Sequence, residues 1–508
     1  MSALRKAGIM CAFGAGGALV SMDSVIVSVA LPFISKDLST TTSQYSWVAS
    51  SYLLAAASLM PLWGPMSDAV GRKPVLTAGL LVFLVGSLIS ALARDSNTLI
   101  GGRAVQGMGE GAFTVMTNIC MADLFRLHER SLYIAIYAGA SCVGAALAPI
   151  LGGVLTQYAG WRWCFWINLP VTAACIALIV GLLPFPMLKL SALTELKRVD
   201  WLGMLLVSCG TVLLLFGLQF GGIVFAWRSA VVIGLVTAGA GTLILFVFQQ
   251  TKSLYPIAPL RLFRHRSGSA CLLVCFSHGF VYIACLYYLP IYFQLVLQAG
   301  AVDAGLWLLI TAIPTTVFTI AAALVIQSTG RYRDTIRAAT AFLTLGTALS
   351  ITFPAYRSWV RIVISQLLLA VGIGPLFQAP LIGLQAAVRP SEVSSAYATF
   401  IFLRTISSAI SIVIGQVALQ NELQKQTTAL LDAGVSPDIV ASLPHTLDVF
   451  WASVGLPNSN RDALRGALTF ALSRVWILYT IFAVFGFLGS YFIVDHKLKD
   501  GLPHQEDG

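Results

Sequence analysis

The chain has 508 residues, of which 57% are apolar and only 10% charged, with a formal net charge of +10. A soluble domain carries roughly 25% charged residues, so this composition excludes a water-soluble globular protein, and the unit to count is the helix rather than the soluble domain. The positive charge is no argument for nucleic acid, because Lys and Arg gather in the polar stretches between apolar runs, where their bias sets orientation in a membrane.

A membrane-crossing helix needs about 20 predominantly apolar residues, and fourteen runs of that kind are read here, which predicts an all-α integral membrane fold. The first, near Gly8 to Phe33, contains Asp23; its length and the lack of a small-residue cleavage pattern argue against a secretory signal. The second, near Ser46 to Pro65, and the third, near Pro74 to Ala93, enclose the decapeptide Gly64 to Lys73. Asp68, Arg72 and Lys73 cannot lie cheaply in hydrocarbon, so this stretch is predicted to be a hairpin at the water boundary. Its residues Gly64, Asp68, Gly71, Arg72 and Lys73 are read as a conformational latch.

The fourth run, near Thr98 to Cys120, places Arg103, Gln106, Gly107, Glu110 and Thr114 on one helical stripe too polar for lipid. Asp23, Arg103, Glu110 and, later, Arg404 would each cost about 2.5 to 3.5 kcal/mol facing lipid, so they are expected to face a cavity or one another. Counting depth at about 1.5 Å per residue sets Asp23 between Arg103 and Glu110, so if the first and fourth helices are neighbours Arg103 is able to pair with either carboxylate. A proton competing for the same carboxylate would be a coupling mechanism, since moving the arginine alters which protonation state is favoured. The plainer alternatives are a fixed Asp23–Arg103 packing pair and, for Glu110, a satisfied core acid.

The fifth run, near Leu132 to Gln157, holds Gly144, Ala148, Pro149, Gly152 and Gly153, a set that thins one face and removes a backbone hydrogen bond, predicting a kink and tight packing. Trp161 to Trp166 lead into the sixth, near Trp163 to Leu183, with rings and Arg162 suited to the membrane interface. The seventh, near Trp201 to Phe220, and the eighth, near Ala230 to Gln249, carry no charge within the membrane. With their polar flanks they are read as an insert, residues 184–268, between six-helix bundles at 1–183 and 269–494. Gly330-Arg331 in the second bundle repeats Gly71-Arg72 of the first.

The remaining runs lie near Ser269 to Gln294, Ala304 to Ile326, Ala338 to Phe353, Ile362 to Ala386, Val393 to Leu419 and Val475 to Val494. Candidates for lining a substrate cavity are Gln106, Tyr282, Tyr287, Tyr288, Tyr292, Phe377, Gln378 and Arg404, with core packing as the alternative for the aromatic ones. Arg404 has three readings: it binds an anionic substrate group, reaches Asp23 or Glu110, or caps backbone. His278 reads as a hydrogen-bonded core histidine ahead of a proton relay. The outer segment Asn421 to Arg474, broken by Pro437, Pro444 and Pro457, is expected to form short amphipathic helices over the outer mouth or an irregular loop. Residues 495–508 form a polar cytoplasmic tail. The nine cysteines fall in or beside apolar runs, which suits packing. No metal-ligand spacing, nucleophile elbow or phosphate loop is present, so neither an enzyme nor a cofactor is expected.

The motif Gly64-x-x-x-Asp68-x-x-Gly71-Arg72-Lys73, the stretch Asp23 to Pro32, Arg103-Ala-Val-Gln106-Gly107 and the Gly144 to Gly153 segment together resemble the major facilitator superfamily, and within it the fourteen-helix drug:proton antiporters. Trp161 to Pro170, Val199 to Gly203, Pro259 to Phe263 and Tyr287 to Gln294 are most similar to fungal multidrug and toxin efflux members. The resemblance implies two six-helix bundles plus two extra helices, and export of amphiphilic small molecules in exchange for protons. It gives Asp23 a coupling role, Arg103 proton relay and the Asp68 loop conformational locking. A monomer in the plasma membrane, or in a vacuolar or vesicular membrane, is expected, with both termini cytoplasmic and the proton gradient as driving force. Ala148 before Pro149, Glu110, and Ser407-Ser408 depart from the family's usual small residues or glycines. A facilitator of the same fold without proton coupling is the alternative, and a membrane receptor or enzyme a remote one.

Overall fold

The computed structural model of the chain describes all residues except 1, 39, 41, 126, 187–198, 222–224, 255–259, 264, 389–392, 436–457 and 496–508. Among the described residues the chain is helical: α1 (Ala3–Leu38), α2 (Thr42–Val70), α3 (Arg72–Leu92), α4 (Ser96–Leu124), α5 (Leu127–Tyr158), α6 (Trp163–Trp166), α7 (Asn168–Leu182), α8 (Trp201–Phe220) and α9 (Ala230–Lys252). It continues through α10 (Arg266–Ile291), α11 (Ala301–Thr329), α12 (Tyr332–Ser350), α13 (Trp359–Leu376), α14 (Ala379–Ala386), α15 (Val393–Lys425), α16 (Thr427–Asp432) and α17 (Asn458–Ser490). Among the described residues ten helices are long and apolar enough to cross a membrane, and α5 adds an eleventh when its two segments count as one span. The polar content of α2, α4 and α12 keeps them below that criterion, although they stand beside the others as rods of 19 to 29 residues.

Local sequence explains where helices begin. Asp95 caps α4 by accepting a hydrogen bond from the Thr98 amide, Asp200 caps α8 through Gly203, and Ser229 caps α9 through Val232. Gly71 enters α3 at φ 118°, and Gly330 ends α11 in the left-handed region at φ 69°. The two glycines noticed as a sequence repeat thus both turn the chain between helices at a positive φ, in different conformations that side chains with a Cβ disfavour.

The helix pairings of the two halves repeat. In the first half α1 packs on α5 and α7, α2 on α4, and α3 on α4 and α7; in the second, α10 packs on α15 and α17, α11 on α13, and α12 on α13 and α17. The halves meet reciprocally, α5 against α11 and α2 against α15. Helices α8 and α9 pack on each other, and Met204, Val207 and Phe246 bury themselves against Leu62 and Met66 of α2 and Phe402 of α15. The extra pair therefore touches both halves along the α2–α15 seam.

Three spans are interrupted. Helix α5 bends by 41° between Leu132–Ala148 and Ile150–Tyr158. The intervening residue is Pro149, whose ring lies outside the described side chains, although a proline at this point removes the hydrogen bond that would keep the helix straight. The α13–α14 span breaks at Phe377-Gln378, and α10 ends in a π-turn at Tyr292–Val296. The predicted outer segment needs correction: α15 runs on to Lys425, and the last helix is continuous from Asn458 rather than starting at Val475. The prolines that argued for breaks, Pro437, Pro444 and Pro457, all lie outside the described residues, and between Asn458 and Ser490 the sequence holds no proline to stop the helix.

Candidate functional site

Inside the first half a polar knot joins α1, α4 and α7. Asp23 and Arg103 are both fully buried and form a salt bridge between Asp23 Oδ2 and Arg103 Nη1. The second carboxylate oxygen of Asp23 accepts from Asn168 Nδ2 at 2.6 Å and Gln106 Nε2 at 3.3 Å. Ser87 on α3 ties these amides together, accepting from Gln106 at 2.7 Å and Asn168 at 3.4 Å. Arg103 spends its other donors on Gln106 Oε1 at 3.0 Å and the carbonyls of Val48 at 3.3 Å and Asp23 at 3.4 Å. Its guanidinium lies 4.0 Å over the Tyr52 ring and 5.9 Å from that of Phe165. A buried ion pair is tolerable when the remaining donors and acceptors are satisfied, and here nearly every one is; Asn168 Oδ1 is left over.

The structure pairs Arg103 with Asp23 and leaves Glu110 apart, two turns along α4. Glu110 sits beside the Tyr52 hydroxyl, which donates to the Val20 carbonyl, and its Oε2 has no hydrogen-bond partner among the described residues. Small residues make this crowding feasible. A Cβ on Gly107 would strike the Tyr52 backbone, and one on Gly144 of α5 would strike the backbone of Ala18 on α1, so neither position admits alanine without a backbone shift. Gly152 is buried and Gly153 partly so.

A second cluster forms in the other half from α10, the α13–α14 break and α15. His278 and Tyr282, one turn apart on α10, stack at 5.9 Å, and Phe377 stands edge-on to both, at 4.8 Å and 5.0 Å. The Arg404 guanidinium lies 5.4 Å from the Phe377 ring and 5.6 Å from that of Phe400. Among the described residues Arg404 makes no ion pair, and its buried Nη1 meets no acceptor. Both nitrogens of His278, near the Ile373 carbonyl, and Oε1 of the buried Gln378 also lack partners in hydrogen-bonding geometry. Tyr137 of α5 lies within electrostatic reach of Glu110 and Arg404 alike.

The remaining candidates separate. Gln106 belongs to the Asp23 knot. Tyr288 is buried against Tyr479 and donates to the Ile412 carbonyl at 3.1 Å, and Tyr292 is buried against Phe353 and donates to the Pro354 carbonyl at 2.8 Å. These two are held in packing and do not join the Arg404 cluster; Tyr287 is 41% exposed and packs edge-on against Tyr288.

At the predicted hairpin Arg72 forms ion pairs with Asp68 and, at 2.9 Å through Nε, with Asp123 at the end of α4, and it also donates to Ser67. Lys73 donates to the Leu183 carbonyl after α7 at 3.2 Å, and Gly64 lies against Ile119 of α4. The hairpin therefore ties α2 and α3 to the ends of α4 and α7. Nearby, Arg130 of α5 reaches across to Gln385 of α14 at 3.4 Å.

Asn168, Ser87, Tyr52 and Asp123 were not singled out from the sequence. Single serines, amides, tyrosines and helix-end acids are common, and only the packing of distant helices makes these four partners of the residues the sequence marked. His278 and Tyr282 did carry a signal, their four-residue spacing on one face.

A model of the Major Facilitator Superfamily matches residues 13–412. The chain is 40% identical over 479 residues to the efflux pump dotC of Dothistroma septosporum, covering 94% of this chain and 82% of the relative. It is 36% identical over 485 residues to the MFS-type transporter ppz2 of Metarhizium majus, covering 95% and 83%. The solved structure of the human organic anion transporter MFSD10 aligns with a TM-score of 0.60 over 95% of this chain and 99% of that one; at 14% identity this is a likeness of fold alone.

Proposed function

Because the chain belongs to the major facilitator superfamily, a family of multi-pass membrane transporters and not of enzymes, we propose that it exports amphiphilic small molecules in exchange for protons. The observation that carries this reading is the Asp23–Arg103 pair, wholly buried where α1, α4 and α7 converge. A proton arriving on Asp23 would release Arg103 from its partner, and the loss of that bond would loosen α4 from α1. Glu110, whose Oε2 has no hydrogen-bond partner among the described residues, is the second group able to hold a transported proton. Relatives named as efflux pumps support the outward direction of transport.

In this reading the halves rock about the α5–α11 and α2–α15 seams, and the Arg72 hairpin is broken and remade in each cycle. The chain works as a monomer in the plasma membrane with both termini in the cytoplasm. The positive hairpins on that side support the orientation.

The test is efflux of hydrophobic dyes and small amphiphilic toxins from proteoliposomes under an imposed pH gradient, comparing wild type with Asp23→Asn and Glu110→Gln. Gradient-driven flux that disappears in either variant identifies the coupling carboxylate. Flux indifferent to the gradient and to both substitutions would replace antiport with facilitated diffusion.

A further inference from the structure

We propose that the Arg404 cluster is the seat of an acidic substrate group: the site takes amphiphiles that carry an aromatic ring and a carboxylate or similar anion, with the anion on Arg404 and the ring against Phe377 and Tyr282. The proposal rests on the export reading above and names the substrate class for it.

Charge is the first argument. Asp23 and Arg103 neutralise each other and are bonded all round, but Arg404 makes no ion pair with any described residue. A guanidinium inside a membrane protein is costly unless an anion, water or a ligand compensates it, and the aromatic faces at 5.4 and 5.6 Å compensate only in part.

Unmet hydrogen bonds give the second. His278, 1% exposed and within electrostatic reach of Arg404, has only the Ile373 carbonyl near its two ring nitrogens, and Oε1 of Gln378, 7% exposed and next to Phe377 in the chain, has no partner among the described residues. Buried polar groups are nearly always satisfied, so unmet ones in the same cluster as a cation without an ion pair point to a ligand that supplies the missing bonds. Geometry is the third argument. Phe377 lies at the break between α13 and α14, edge-on to His278 and Tyr282, so the rings form a corner rather than a closed stack. A planar ring fits such a corner while its acid group meets the arginine.

The probes are 1-naphthylacetate and its uncharged amide, 1-naphthylacetamide, which share ring and shape. Binding of each to the full chain in detergent is measured by calorimetric titration. Wild type should prefer the acid by about tenfold or more, the scale of one charge-assisted hydrogen bond. Arg404→Gln should bring the ratio close to one, and Arg404→Lys, which keeps the charge without the fork, should retain part of the preference. Equal binding of both probes by wild type, binding of neither, or an unchanged ratio in Arg404→Gln would overturn the proposal. So would an acid preference that appears only in Glu110→Gln, because a guanidinium freed by removing that carboxylate would be the partner of an internal acid. Acid-selective binding lost in Arg404→Gln without any gradient-driven flux would keep the site and remove antiport. Gradient-driven dye flux with no acid preference would do the reverse.

Discussion

Asp23 is held by three donors, from Arg103, Gln106 and Asn168, so its replacement leaves more than one group stranded. Removing one partner of a buried ion pair typically costs about 3 to 5 kcal/mol, while replacing both with apolar residues is often neutral. Asp23→Ala should therefore lower the melting temperature of the detergent-solubilised chain sharply. The double variant Asp23→Leu/Arg103→Met should recover only part of the loss, because Gln106 and Asn168 are left without their acceptor. Full recovery would mean that the amides find other partners and that the knot is an isolated pair. Arg404 stands at the other extreme, a charge with aromatic neighbours but no ion pair among the described residues.

At the scale of elements, the ends of α1 and α3 remote from the Arg72 hairpin are clamped by the loop before α6. Asp37 accepts from Trp161 Nε1 at 3.0 Å and from Arg162 Nη1 at 2.9 Å, and Arg162 also donates to the Ala93 carbonyl at 3.0 Å while lying 4.2 Å over the Trp161 ring. Trp161, expected at the lipid interface, is thus 5% exposed and bonded inward; Trp163, at 53%, keeps an outward place. Hydrogen bonds from Trp161 and then Arg162 hold the Asp37 carboxyl below the usual carboxylate range. A depressed carboxylate contributes stability that is present above its unfolded value and lost as pH falls through its folded value. Trp161 is predicted to become more accessible to a collisional quencher only as pH drops below the ordinary carboxylate range, and Asp37→Asn should remove that transition. Since Asp37 is half exposed, the change is local and small, the usual scale of a surface ion pair.

For the whole molecule the decisive contact is the seam between halves. A Cβ on Gly139 of α5 would lie 2.9 Å from Thr316 Cγ2 of α11, close enough for a disulfide between cysteines at the two positions. In a Cys142→Ser background, which removes the native thiol beside Thr316, Gly139→Cys/Thr316→Cys should crosslink on oxidation. Crosslinking should stop transport and reduction restore it, with the bond verified by mass spectrometry of linked peptides. Wild-type flux through the oxidised protein would rule out rocking about this seam. The extra pair α8–α9, which packs on α2 and α15 at once, is positioned to move with the other seam.

Charges in apolar runs are conspicuous because lipid penalises them, so Asp23, Arg103, Glu110, Arg404 and the Arg72 hairpin could all be read from one dimension. The same penalty made the membrane class legible in composition, and glycine spacing marked the close approach of α5 to α1. Partner choice was not legible: whether Arg103 meets Asp23 or Glu110 depends on how α1 and α4 cross, and Asn168 reaches Asp23, and Ser87 the two amides that bind it, only where α7 and α3 arrive from distant parts of the chain. The corner of His278, Tyr282 and Phe377 around Arg404 likewise needs α10, α15 and the broken α13–α14 span to converge. Burial cost depends on residue type and local context, which a sequence carries; pairing depends on the directions in which packed helices point their side chains, which only the folded bundle decides.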